Sequence, residues 1–592
     1  MMCLNKITVL TLFCLIHTLQ LFSQEKTLEV AASVIDSKTG EAIAFGNVYH
    51  AKSNRGTVTN VDGFFRFPDL SLQDTLVISY VGYGKQSFRV STFIESGIIQ
   101  LKKKVEKLNE FVVLSDNKYL YELLNRARKT QVYQAKTAKT YFELKTNINQ
   151  RQVELLECYF NGEFKGYDVN KLQLKNGRIA LAEHNNNLFI STETSKALSY
   201  HKLIDGNDYF PKNPLELGKS KMKKLFKLKL VSRFKSDDGD TRYVIKFTPK
   251  DAVNNIFSGR VWVDSASAHV IKITLHKEQA SIHPLSPLKY TDTLSDVKIQ
   301  LTKNFEKQDG QMYFASADFT YSMNYKNATG ENYAVTTSAI LSAYNYNSQF
   351  ILPFFEFESS ESHKDFKQIT AVPYNEFFWR NMTEFRKNDL KDKDAFFRKH
   401  YSSESYNEFL SDTSGGVHVN MLFKGYLPWS ENRLVLSKDN FLNRYKQRTG
   451  STLNPTDMMN LEIQTYMDVN RFNDTTHVLL QNIYDPFQSY YNYPKTAETQ
   501  MFFNIYFDLL EIEKQQLSEE LNQLQLTITP AKVVAKFKAF ENNKEELRKN
   551  YYRSVDRGNN TRQLNEWNEK VKTILNIDNI EFFKSLSESM DE

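Results

Sequence analysis

Apolar and polar positions alternate along most of this chain as far as Asn347, and helical spacing takes over towards its end. From Leu28 to Leu101, "TLEVAASVID", "IAFGNVYHA", "RGTVTNVDGFFRF", "TLVISYVGYGKQSFRV" and "GIIQL" are short alternating runs divided by turn residues. That spacing predicts a small all-β sandwich over 27–104. Asp62 and Gly63 supply the chemistry of a tight hairpin turn. In "KYLYELLNRARKTQVY", Leu120, Leu123, Leu124 and Ala127 share one stripe, with Asp116 available as a cap. A linker and one helix are therefore expected over 105–135.

From Thr140 onward the runs lengthen. "KTYFELKTNINQ", "QVELLECYFNGEFKGYDV", "RYVIKFTPK", "FSGRVWVDSASAHVIKITLHK" and "NYAVTTSAILSAYNYN" alternate over many residues, and Gly310 and Gly330 mark hairpin turns. The segment 136–350 reads as a curved antiparallel sheet or half-barrel. Beyond Phe350 the period changes, with the charged stretch "NDLKDKDAFFRKHYSSES" as a boundary. Phe502, Ile505, Leu509 and Ile512, then Leu517, Leu521 and Leu524, recur at helical spacing. Thr529 with Pro530 opens a second helix, and Trp567, Val571 and Ile574 mark a third. The fold class is multidomain α+β, closing with a mixed, mainly helical domain over 351–592. A membrane receptor barrel would need strands where these helices fall.

Composition adds location more than chemistry. Lys6 precedes the apolar run Ile7 to Phe22, and "SQEK" follows, the order of a secretory signal peptide over 1–24. No later apolar stretch reaches the roughly 18 residues of a transmembrane helix, so the mature chain is expected to be exported whole, periplasmic or associated with an outer membrane. Cys3 and Cys14 fall in the signal, leaving Cys158 as a buried apolar residue and no disulfide framework. With 43 Phe and 32 Tyr, the chain favours broad sheet surfaces. A net charge of +6 over 592 residues gives no reason to expect nucleic acid. Local charge is concentrated in "KSKMKKLFKLKL", Lys219 to Leu230. It reads as a strand with a solvated Lys face guarding a sheet edge, or else as a patch for an anionic envelope polymer or lipid headgroup.

Asn47, Gly56, Thr57, Asp62, Gly63, Phe65, Gly82 and Tyr83, with the "NVDGFF" and "ISYVGY" runs, resemble the carboxypeptidase-regulatory-like domain of Bacteroidota envelope proteins. The resemblance implies a transthyretin-like sandwich that folds or docks, without an active site. "LNEFVVLSD" is similar to the connector between this sandwich and the plug of outer-membrane receptors. The helix after it resembles the continuation found in other envelope proteins of unknown function. "FSGRVWVDSASAHVIKITL" is similar to strands of the curved sheets of lipoprotein-carrier-like proteins.

Catalytic sets are sparse. No His has a Glu three residues on, as a metallocarboxypeptidase zinc site requires, and no nucleophile elbow or phosphate loop occurs. One carboxylate, Asp62, is too few hard donors for calcium. Asp508 and Glu511 lie three apart, and with Asp468 or Asp485 they could form an acidic pair for a glycan-directed hydrolase. The simpler expectation is a solvated, charge-balanced helix face. The reading is a non-catalytic envelope binding or scaffolding protein without cofactor, whose partners are envelope proteins, a lipid or an envelope polymer held on the curved sheet.

Overall fold

The computed structural model describes residues 28–102, 117–182, 194–356, 368–382, 427–434 and 459–591, with breaks of one to four residues inside these ranges, together with His184 and Asp365. The expected signal, Asp116, Gly82 and the charged stretch at 388–405 lie outside the described residues. The fold is mixed α+β, with N-terminal sheets, a large curved sheet and C-terminal helices.

Strands β1 (Leu28–Asp36), β2 (Asn47–His50), β3 (Arg55–Val58), β4 (Phe64–Leu70), β5 (Thr75–Tyr80), β6 (Gly84–Arg89) and β7 (Ile98–Leu101) form two sheets, ordered β4-β1-β7 and β3-β2-β5-β6. Val30, Val34, Phe65, Phe67, Leu76 and Ile78 pack in one buried cluster. The opening hairpin closes as its residues dictate. The Asn60 side chain accepts bonds from the backbone N–H groups of Asp62 and Phe64 at 3.0 and 2.9 Å. Gly63 sits at φ +72°, where a Cβ would stand 2.4 Å from the Val34 carbonyl.

After α1 (Lys118–Lys129) come ten strands: β8 (Ala135–Ile148), β9 (Arg151–Lys165), β10 (Asp168–Leu181), β11 (Phe226–Lys235), β12 (Thr241–Pro249), β13 (Ser258–Asp264), β14 (Val270–Lys277), β15 (Thr293–Gln308), β16 (Gln311–Lys326) and β17 (Asn332–Tyr346). They form one sheet ordered β10-β9-β8-β17-β16-β15-β14-β13-β12-β11. The long run ending "GEFKGYDV" is two strands, because Gly166 at φ +56° turns the chain between β9 and β10.

This order has a consequence for the connection from β10 to β11. Those strands are the opposite edges of the sheet, so the chain must cross one face to join them. Its described part holds α2 (Thr194–Tyr200), a 3-10 turn at Pro214–Glu216 and α3 (Lys219–Leu225). Ala197, Leu198, Leu203, Phe210, Leu215 and Met222 join the same buried cluster as Phe142, Phe160, Val261, Ile273, Leu301 and Phe319 of the sheet. That face is the concave one. The sheet curls until the β9–β10 turn meets strands that are not its neighbours: Phe164 stacks on Phe314 at 5.1 Å, and the Tyr167 hydroxyl accepts the Val270 N–H at 3.0 Å.

The α1 stripe of Leu120, Leu123, Leu124 and Ala127 also lies in this cluster. Its polar residues are tied to the edge strand. The Tyr121 hydroxyl donates to the Phe226 carbonyl at 2.9 Å, and the Asn117 amide donates to the Leu228 carbonyl at 3.3 Å. The lysine-rich run is therefore only half strand. Lys219 to Leu225 form α3, while Phe226 onward is the edge strand with Lys227 and Lys229 exposed.

The convex face meets the other modules. The Gly56 N–H donates to Asn345 at 3.4 Å, and Lys272 lies 3.3 Å from the Tyr80 hydroxyl, which seats the N-terminal sandwich. Helix α4 (Glu376–Asn381) places Phe378 and Trp379 against Tyr141 and Tyr159. Beyond it come β18 (Leu427–Pro428), β19 (Met459–Asn460), β20 (Ile463–Phe472), β21 (Thr475–Tyr484), β22 (Tyr490–Tyr491) and the helices α5 (Ala497–Leu524), α6 (Pro530–Val555), α7 (Thr561–Leu575) and α8 (Asn579–Asp591). The C-terminal part thus holds the β20–β21 hairpin as well as helices. Helix α5 is buried on all sides from Met501 to Ile512, so it is a core helix over that stretch. No helix among the described residues is long and apolar enough to cross a membrane.

Candidate functional site

The concave face is an apolar trough roofed by the crossover chain and α1. Buried polar groups interrupt it at Thr146, which bonds to Glu154 and Thr337 at 2.7 and 3.0 Å, and at a second cluster around Lys303. Lys303 stands in the inward row of β15 between Leu301 and Phe305 and is wholly buried. Its Nζ donates to the His201 carbonyl at 2.7 Å, at the end of α2, and lies 3.6 Å from Asp168 Oδ1 at the start of β10. Asp168 also accepts the Leu203 N–H at 2.9 Å. One lysine on the trough floor therefore ties the roof at His201 to the start of the edge strand at Asp168, a placement that local sequence cannot show.

Burial governs the charge states here. It pushes Lys303 down to about 8, with Asp168 opposing the shift. It also raises Asp168 above the ordinary carboxylate range, against the pull of Lys303 and the Leu203 N–H. His201 is held well below its usual value by burial and by the Lys303 charge, so its ring is neutral. Neither ring nitrogen of His201 has a hydrogen-bond partner among the described residues, and Phe210 packs edge-on against it at 5.1 Å. Glu216 accepts the Asn213 N–H at 2.9 Å in a reciprocal cap, and burial raises its carboxyl to about 7. A lysine titrating near neutrality in apolar surroundings can exchange a proton or receive an anionic group.

The residues picked out from sequence lie elsewhere. Asp508 and Glu511 are both on α5 but are buried, not solvated, because the segment 427–434 and the β20–β21 hairpin cover that helix. Asp508 accepts bonds from Arg433 at 2.6 Å, Asn579 at 2.7 Å and the Trp429 indole at 2.8 Å. Burial raises its carboxyl against those partners. Glu511 pairs with Lys514 at 2.6 Å and receives the Asn482 amide at 3.4 Å. The two carboxylates serve separate partner sets, and both sets hold α5 to its neighbours.

Asp468 and Asp485 are buried in two further networks. Asp468 receives Lys175, Asn176, Asn375 and Asn470. Asp485 receives Gln464 and Gln488 at 2.9 and 3.0 Å. Beside Asp468, Arg178 pairs with Glu157 and lies 4.5 Å from the Trp379 ring. Among the described residues no group of three or more His, Cys, Asp or Glu is arranged to hold a metal ion.

In the N-terminal sandwich, Phe65 is a core residue, Thr57 is buried and Asp62 is an exposed turn residue. Asn47 pairs with Val58 and Ser79, and the Tyr83 hydroxyl donates to Asp36 at 2.6 Å. With Gly56 against Asn345 and Gly63 in its turn, these residues build and seat the sandwich. Cys158 is buried on β9, and burial pushes its thiol well above the usual range.

Residues 32–113 match the model of the CarboxypepD_reg-like domain. None of the curated proteins compared matches the chain. Solved structures overlap with part of it, among them the following three. A putative outer membrane lipoprotein-sorting protein domain from Vibrio parahaemolyticus is 14% identical, with a TM-score of 0.19, and covers 41% of this chain and 97% of its own. The LolA superfamily protein NE2245 from Nitrosomonas europaea is 11% identical, with a TM-score of 0.15, and covers 39% of this chain and 93% of its own. MucB, in complex with MucA(peri), is 10% identical, with a TM-score of 0.14, and covers 38% of this chain and 94% of its own.

Proposed function

We propose that this chain is a non-catalytic binding protein of the cell envelope whose concave trough takes an apolar chain, with the sandwich and the C-terminal module as its attachments. The observation that carries this reading is the roof. The crossover and α1 bury the largest apolar face of the molecule and are separate pieces laid over it, held to the sheet by side-chain bonds from Tyr121, Asn117, Lys202 and Lys303, by the Leu203 N–H on Asp168 and by a backbone bridge of Lys212 to Ile256. Moving the roof aside would uncover apolar wall on both sides. An acyl chain entering there would bring its polar head towards Lys303 and the unpartnered His201 ring.

The test is mass spectrometry of small molecules released by denaturing protein purified under mild conditions from the cells that make it. A lipid recovered in near-stoichiometric amount supports the reading, and its loss in a Leu301→Asp variant would place it in the trough. Repeated recovery of empty protein removes the carrier reading.

A further inference from the structure

Inside the trough a buried cation and a buried imidazole stand together with bonds to spare. Lys303 is wholly buried, and its ammonium carries three donors. One is placed, on the His201 carbonyl at 2.7 Å. Asp168 Oδ1, at 3.6 Å, balances the charge from beyond hydrogen-bond length and is itself bonded to the Leu203 N–H at 2.9 Å. The ring belonging to the same His201 is sealed from solvent, and neither of its nitrogens has a partner among the described residues. That ring belongs to the trough, because Phe210, edge-on to it at 5.1 Å, lies against Phe319 of the sheet at 6.0 Å. Bare polar atoms in apolar surroundings cost free energy, and an orphaned pair of this kind calls for a partner from outside the chain.

The missing partner has to be an acceptor, and a charged one. Lys303 offers donors only, and a neutral His201 ring offers one N–H. Lys202 adds a second ammonium, with its Nζ on the Val169 carbonyl at 2.7 Å, next to Asp168. Two ammonium groups therefore stand to one carboxylate at this point. Glu216, a buried carboxyl of the roof, is spent on the Asn213 N–H and amide at 2.9 and 2.7 Å. An alcohol or amine head would bring a donor towards an ammonium, and an ester carbonyl would accept a bond without balancing charge. A carboxylate does both. Size points the same way: with Lys303 and His201 sealed from solvent, a phosphodiester head and its glycerol would lose their water with too few bonds in return.

We infer that the occupant of the trough is a single-chain amphiphile with a carboxylate head, a long-chain fatty acid, whose head lies inside and accepts bonds from Lys303 Nζ and the His201 ring. The inference rests on the trough reading above and adds to it the chemistry and the direction of the ligand, with the tail laid along the apolar wall.

The test is equilibrium binding of palmitate, hexadecanol, methyl palmitate and hexadecyl phosphate to the delipidated full chain, read by displacement of a fluorescent apolar probe. Palmitate is expected to bind more tightly than either neutral analogue, on the order of tenfold. Lys303→Met should abolish that preference and leave hexadecanol affinity unchanged, which shows that the trough is intact. His201→Phe leaves the Lys303–Asp168 pair in place and decides the matter if Lys303→Met does not fold. It should cut palmitate affinity several-fold with hexadecanol again unchanged. Palmitate no tighter than the neutral analogues, or a preference undiminished in either variant, would overturn the carboxylate assignment and leave the trough reading standing. Tighter binding of hexadecyl phosphate, with its larger head, would overturn the choice of head. Failure of all four to bind would overturn the trough reading and this inference together.

Discussion

Lys175 of β10 and Asp468 of β20 form an ion pair across 293 residues of sequence, and both side chains are sealed from solvent. The pair joins the edge of the ten-stranded sheet to the C-terminal hairpin. Three amides complete the Asp468 shell, and Lys175 also donates to the Ile351 and Val469 carbonyls at 2.7 and 3.0 Å. Removing one member strands the other without water. Asp468→Ala is therefore expected to cost about 3–5 kcal/mol, read from the midpoint of denaturant unfolding. Lys175→Met with Asp468→Leu should cost clearly less than the sum of the two single changes.

Glu306 gives a pH signature with a defined sign. Burial raises its carboxyl from 4.5 to about 7, opposed only by the bond from Gln308 at 2.8 Å. Between those values the folded chain holds a proton that the unfolded chain has released. Its stabilising contribution is full below pH 4.5 and is lost as pH rises through about 7. Glu306→Gln, which mimics the protonated form, should raise stability by about 1–2 kcal/mol above that range and leave it nearly unchanged below. Thermal unfolding across the pH range checks this.

Gly259 admits no side chain. A Cβ there would lie 1.8 Å from the Thr274 carbonyl and 2.8 Å from the Phe247 ring. Gly259→Ala should part β13 from β14 at that point and cost about 3 kcal/mol or more. Hydrogen exchange should show protection falling around Arg260 and Thr274 before it falls in β8 or β9.

On the outer face of the β11 edge, Lys229, Lys246 and Arg260 stand side by side on three adjacent strands, and this row predicts a gain. Lys246 faces a cation on each side, so Lys246→Glu turns two repulsions into two attractions. Stability should rise by about 0.5–1 kcal/mol at low salt, and the difference should shrink as salt is added. An unchanged melting temperature at low salt would mean that the three side chains splay beyond one another's reach.

How much of this was legible in the sequence depended on whether an element shows one face to water. Strands such as Val270–Lys277 and helices such as Thr561–Leu575 alternate clearly because half their residues are solvated. The β20 strand went unread because Tyr466 to Asn470 are all buried, polar and apolar alike, which erases the period. The same cause misplaced Asp508 and Glu511. On a bare helix they are two acids on a solvated, charge-balanced face, and distant partners such as Trp429, Arg433, Asn579 and Asn482 make them interior residues. Lys303, Asp168 and His201 could not be grouped from sequence at all, since Lys303 lies over a hundred residues from either partner.

The Tyr121 and Asn117 bonds to the β11 carbonyls carry a further implication. Those acceptors are the ones an incoming strand would use, so α1 is a sheath over a raw sheet edge as well as part of a roof. Opening the trough by moving α1 therefore strips that edge in the same motion. A molecule caught open and empty has two remedies: to fill and reclose, or to zip edge to edge with another copy. Self-assembly into oligomers should then track the vacancy of the trough, and whatever fills it would act as the protein's own solubilising agent.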